Sequence, residues 1–168
     1  MKTTGKVTQE EIKRKLRYEP TTGIFYWVCN SGPAKAGDVA GCLDKRTGYV
    51  RIQLDGKNYL AHRLAWFYML GRWPKEQIDH IDSVRSNNRF SNLREASHAQ
   101  NQWNKALQKN NSSGHKGVCW NKGLNKWQAG IRVSNKYLLI GCFETAEAAA
   151  KAYSSAARQH FGEFARAQ

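Results

Sequence analysis

At 168 residues with 27 Lys and Arg against 13 Asp and Glu, a net charge of +14, the chain favours a polyanionic partner over an acidic-surface or membrane-buried role. A hydrophobic content of 40% is enough for folded cores and excludes a wholly disordered chain, and no run approaches the ~18 apolar residues of a membrane span. The excess charge is not a tail: residues 1–102 carry 17 basic against 10 acidic side chains and residues 103–168 carry 10 against 3, so both halves are expected to touch the polyanion. Cys29, Cys42, Cys119 and Cys142 form no Cys-x-x-Cys pair, and no basic region followed by an apolar run marks a signal peptide. Reduced thiols and a cytoplasmic location, with no membrane partner, are the expectation.

In chain order, Thr8-Gln9-Glu10-Glu11 has the form of a capping box and opens a short helix with Ile12 and Leu16 on one face. Phe25-Tyr26-Trp27-Val28 reads as a strand and residues 33–41 as a loop. Over 49–54 the pattern alternates, with Val50, Ile52 and Leu54 on one face and Arg51 and Gln53 on the other. Asp55-Gly56 supplies a hairpin turn into a strand over 57–61. The polar face of that hairpin is either scaffold or a DNA-facing surface. A helix over about 62–70 stops near Gly71, ahead of Pro74. His62, at its start, reads as structural, with a phosphate contact as the alternative.

Next comes Ile78-Asp79-His80-Ile81-Asp82, then Arg85-Ser86-Asn87-Asn88-Arg89-Phe90-Ser91-Asn92-Leu93-Arg94 and His98-Ala99-Gln100-Asn101. Hydrolysing a phosphodiester requires a base to take a proton from water and a hard cation to absorb charge on the phosphate and leaving oxygens. His80 and Asp79 supply both from one short strand. Because successive strand residues point to opposite faces, the site is expected at the strand's frayed end. Asn101, on a helix packed against the strand pair, completes an all-oxygen set with Asp79, suited to one Mg²⁺ or Mn²⁺ ion. Asn92 closes the loop between the strands, where its amide can fix the loop's shape.

These residues resemble the HNH endonuclease family, in which a β-hairpin and a helix clasp one divalent ion, the ββα-metal fold. The resemblance implies His80 as general base, Asn92 as the middle asparagine, and Asp79 and Asn101 as metal ligands. Asn101 stands where other members have a second histidine, a variant shared with phage-type homing endonucleases. Tyr59-Leu60-Ala61-His62-Arg63-Leu64-Ala65-Trp66 and Gly71-Arg72-Trp73-Pro74 extend the likeness upstream. Arg85, Arg89 and Arg94, around the motif, are expected to contact DNA.

Residues 105–114 have no apolar periodicity and read as a linker between a nuclease module over 1–104 and a second module over 115–168. Past it, strands over 116–120, 126–133 and 137–143 are separated by Gly/Asn turns, and Thr145 caps a helix over about 146–160 with a stripe of Ala149, Ala152, Tyr153, Ala156 and Ala157. Trp127, Ala129, Ile131 and Val133 face one side of the middle strand, and Gln128, Gly130 and Arg132 the other. Lys116-Gly117-Val118, the run from Lys126 to Arg132 and Gly141-Cys142-Phe143-Glu144-Thr145 resemble the Apetala-two or ethylene-response-factor DNA-binding domain. That resemblance implies a sheet entering the major groove, with Lys116, Cys119, Asn121, Gly130, Arg132, Tyr137 and Leu139 at contact positions, and Gln128 on the same face. Several of these depart from the family's usual Arg, Glu or Trp, which removes the plant target sequence from consideration.

The whole reads as an α+β protein: a ββα-metal nuclease module followed by a small three-stranded antiparallel sheet on one helix. The expected function is site-directed, metal-dependent cleavage or nicking of double-stranded DNA by a homing-type enzyme of a bacterial or phage-infected cell, with no small-molecule cofactor. The rival expectations are a DNA-binding regulator with a silent site and a relatively non-specific nuclease.

Overall fold

A computed structural model describes residues 7–107, 110–134 and 136–166, and the chain divides into two compact units, Met1–His98 and Ala99–Gln168. Among the described residues, no helix is long and apolar enough to cross a membrane.

In the first unit, α1 (Gln9–Lys15) starts at the expected box: the Thr8 hydroxyl accepts from the Glu11 amide at 3.2 Å, and the Glu11 carboxylate accepts from the Thr8 amide at 2.8 Å. Leu16, expected on the helix face, instead leaves it at φ −129° and begins β1 (Leu16–Glu19). Both Ile12 and Leu16 are fully buried, so the apolar pair serves one core from two elements. β1 pairs antiparallel with β2 (Ile24–Trp27), which pairs with β3 (Val39–Ala40) at the end of the stretch expected as loop. The β1–β2 turn closes at Gly23, whose φ of +75° and close approach to the 88–89 backbone leave no room for a side chain.

A second sheet joins β4 (Cys42–Leu43), β5 (Val50–Leu54) and β6 (Lys57–Leu60). The alternation of β5 holds: Ile52 and Leu54 are buried, Arg51 and Gln53 exposed. Asp55 and Gly56 both take positive φ, as a tight primed hairpin turn demands. α2 (Ala61–Leu70) buries Ala61, His62, Leu64, Ala65, Trp66 and Phe67, and Gly71 ends it in the left-handed region at φ 69°. Trp73 stacks on Phe67 at 4.5 Å and carries the chain to β7 (Gln77–His80). β7 pairs antiparallel with β8 (Leu93–Ala96), setting Asp79 opposite Arg94 and His80 opposite Leu93.

The second unit takes in most of α3 (His98–Trp103), whose Trp103 stacks on Phe161 at 4.3 Å. Its sheet has the order β11-β10-β9, from β9 (Val118–Asn121), β10 (Lys126–Val133) and β11 (Lys136–Phe143), packed on α4 (Ala146–Phe161). Thr145 caps α4 through the Ala148 amide at 3.2 Å. Ala149, Ala150, Tyr153, Ala157 and Phe161 are buried on the sheet, and Gly117 lies under the Tyr153 ring where a Cβ would clash. The expected linker has no helix or strand among its described residues, yet it is tied down: Ser113 donates to the Val118 carbonyl at 2.8 Å and Asn111 to that of His115 at 3.1 Å. Gln108 and Lys109 of that segment lie outside the described residues.

Candidate active site

β7 delivers Asp79 and His80 side by side, each only 4% exposed. Their partners differ. Arg94, directly across the ladder, donates Nε and Nη2 to Asp79 Oδ2, both at 2.9 Å. His80 Nε2 lies 3.1 Å from Asn88 Oδ1, and Asn88 is 2% exposed. The loop from β7 to β8 is drawn in by Asn92, whose Oδ1 accepts from the Asp82 amide at 3.1 Å while its Nδ2 donates to Asp82 Oδ1 at 2.9 Å and to the Asn87 carbonyl at 2.8 Å. Asn92 thus has the loop-fixing contacts expected of an amide at that place.

Above His80 sits a ring cluster. His62 meets it edge-on with centroids 5.0 Å apart, and Tyr49 lies 5.0 Å from His62 and 6.0 Å from His80. Arg85 stacks over Tyr49 at 5.0 Å and donates to the Thr47 carbonyl at 2.8 Å. Burial lowers the pKa of His80, against the opposing pull of the Asn88 bond and the Asp82 and Asp79 charges. The imidazole is thereby kept neutral, as a base must be. His62 is pushed down to about 3, first by burial and then by neighbouring His80 and Arg63, and its Nδ1 is buried with no hydrogen-bond partner.

His62 gives a pH prediction. Its folded pKa lies below the unfolded value, so between about pH 6.5 and 3 the unfolded chain holds a proton that the folded chain refuses. Stability is full above that window and falls with pH inside it, by up to about 1.4 kcal/mol per unit, or roughly 2 kcal/mol by pH 5. Melting curves from pH 7.5 to 5 should show a shallower acid slope for His62→Phe than for wild type. Equal slopes would place His62 in contact with solvent.

The structure gives the expected DNA-contact residues the following places. Arg94 has a side chain 12% exposed and is paired to Asp79, because the β7–β8 register sets the two opposite one another. Lys116 donates its ammonium to the carbonyls of Trp103 and Lys105 and so tethers the segment after α3. Asn121, Gln128 and Tyr137 form a hydrogen-bonded chain across the sheet. Asn121 Nδ2 donates to Gln128 Oε1 at 2.8 Å, and Gln128 Nε2 donates to the Tyr137 hydroxyl at 3.1 Å, above Gly130. Arg132 and Cys119 are exposed on β10 and β9, and Arg85 and Arg89 are exposed beside the β7–β8 loop. Asn101 lies on α3, in the second unit. The four cysteines are free thiols.

Sequence reasoning missed Asn88 and the Arg94 pairing. The doubled Asn87-Asn88 signals a polar loop but not which amide turns inward. The Asp79–Arg94 pair follows from the strand register, which local sequence pattern does not fix.

Residues 59–103, spanning β6 to α3, match the family model described as HNH endonuclease. The chain is 34% identical over 106 residues to Protein 3.8 of Escherichia phage T7, a match covering 62% of this chain and 87% of that protein. It is also 36% identical over 122 residues to the Uncharacterized HNH endonuclease L560 of Acanthamoeba polyphaga mimivirus, covering 71% of this chain and 62% of that protein.

Proposed function

The chain belongs to the HNH endonuclease family, and from that premise we propose that it is a site-directed, divalent-metal-dependent endonuclease of homing type that cuts or nicks double-stranded DNA. The observation that carries this is the buried Asp79–His80 pair at the end of β7, with the imidazole kept neutral inside a basic protein. His80 accepts the proton of the attacking water. Asn92 fixes the loop beside it. Residues 1–104 are read as the ββα-metal module.

The donor chemistry fits a hard ion: Asp79 offers carboxylate oxygen and Asn101 amide oxygen, and the described residues contain no group of three His, Cys, Asp or Glu side chains arranged as a protein cage. Mg²⁺ and Mn²⁺ sites of nucleases take one or two protein oxygens and complete the shell with phosphate and water. Asp79 and Asn101 would hold the ion, which supplies charge to the phosphate and leaving oxygens when bound. Arg94, on Asp79 Oδ2, keeps that carboxylate pointed and its negative charge balanced within the protein.

The second unit is read as an Apetala-two-like DNA-binding module that helps to choose the site, supported by three antiparallel strands on one helix and by Arg132 and Tyr137 on an exposed sheet. Arg85 and Arg89 extend the basic surface of the first unit toward phosphate.

Incubating the full-length protein with supercoiled plasmid tests the proposal. Nicked or linear product should form with Mg²⁺ or Mn²⁺, vanish in excess chelator and return on adding the ion back. Discrete fragments from a long DNA support site choice, whereas a smear would make the protein a non-specific nuclease. Full activity in chelator would overturn the metal requirement, and no product under any condition would leave a DNA-binding protein.

A further inference from the structure

We propose that Asn88 is a positioning residue for the hydrolytic histidine: its side-chain oxygen accepts from His80 Nε2 and so sets the tautomer and orientation of the ring, and the β1–β2 hairpin holds Asn88 in place. The inference rests on the assignment of His80 as the base. An amide oxygen only accepts hydrogen bonds, so at 3.1 Å from Asn88 Oδ1 the His80 Nε2 must be the donor. The amide's orientation is set independently: Nδ2 donates to the Ser86 carbonyl at 3.3 Å, and a flipped amide would press oxygen against oxygen there. In a neutral imidazole only one nitrogen carries hydrogen, which leaves Nδ1 unprotonated.

Asn88 is held from a distant part of the sequence. Its carbonyl accepts the buried Tyr18 hydroxyl, from β1, at 2.6 Å. Its own amide donates to Ser86 O at 3.1 Å, and the Phe90 amide donates to Pro20 O in the β1–β2 turn at 3.1 Å. At Gly23 a Cβ would lie 2.4 Å from the Asn88 carbonyl carbon and 2.3 Å from the Arg89 nitrogen, so the turn packs backbone to backbone on this segment. The hairpin lies upstream of residues 59–103, the stretch matched to the family, and these contacts give it a part in the chemistry: it buttresses the amide that sets the tautomer of the base.

The test uses the full-length protein with ¹⁵N-labelled histidine. In the wild-type spectrum, assigned by the loss of its signals in His80→Ala, His80 should show a protonated Nε2 and an unprotonated Nδ1. Asn88→Ala should lose that single tautomer and cleave plasmid about 10- to 100-fold more slowly at saturating DNA, with unchanged DNA affinity. Tyr18→Phe, which removes only the hydroxyl, should fall between Asn88→Ala and wild type. Hydrogen on Nδ1 of wild-type His80 would overturn the proposal even if Asn88→Ala failed to fold. So would an Asn88→Ala protein with wild-type turnover and nitrogen shifts. Cleavage by His80→Ala at the wild-type rate would instead overturn the assignment of His80 as the base, leaving the tautomer measurement to stand or fall separately.

Discussion

Cleavage by His80→Ala should drop by about 10² to 10⁴, the usual cost of losing a general base, while affinity for DNA stays within a few-fold of wild type. The two effects separate because the chemistry and the binding draw on different groups. His80 is buried, neutral and bonded to Asn88, so it adds no positive charge to the surface. Affinity comes from a net charge of +14 shared between both halves of the chain. Single-turnover cleavage and a filter or gel-shift titration in chelator measure the two properties. A His80→Ala protein that cleaves at the wild-type rate would remove His80 from the reaction. One that loses both cleavage and binding would make His80 a structural residue of the β7 end, a distinction that its melting temperature would settle.

Arg94→Leu should destabilise the protein by about 3–5 kcal/mol, the cost of stripping one partner from a buried ion pair. Arg94 and Asp79 are 12% and 5% exposed, so without the guanidinium the Asp79 carboxylate has little solvent to turn to. The double variant Asp79→Leu/Arg94→Leu should recover much of that loss, because removing both charges also removes the uncompensated one. Denaturant melts of the four proteins of this cycle give the coupling directly. A divalent ion offers a second readout: if Asp79 is its ligand, Mg²⁺ or Mn²⁺ should raise the melting temperature of Arg94→Leu more than that of wild type, since the variant has lost the guanidinium that faces the carboxylate. An Arg94→Leu protein within about 1 kcal/mol of wild type would mean that Asp79 finds its charge balance elsewhere.

The features legible in the sequence are those whose cause lies within a few residues. Thr8 and Glu11 make the box that starts α1, Asp55-Gly56 makes the hairpin turn, Gly71 ends α2 and Thr145 caps α4, each through bonds or backbone angles spanning a turn of chain. Alternation placed Ile52 and Leu54 inside and Arg51 outside, and the polar spacing from Asp79 to Asn92 marked the loop that Asn92 does clasp. Tertiary structure decided the rest, because partner choice across strands depends on register and long-range docking, which short-range pattern does not encode. Leu16 left its helix for β1 since both conformations bury it, and only pairing with Trp27 chooses between them. Arg94 turned from the surface to Asp79 because the ladder sets it opposite that carboxylate. Lys116 found the carbonyls at the end of α3. Asn88, one polar loop residue among several, acquired its contact with His80 from Tyr18, 70 residues away, whose hydroxyl fixes the backbone from which that amide reaches the ring.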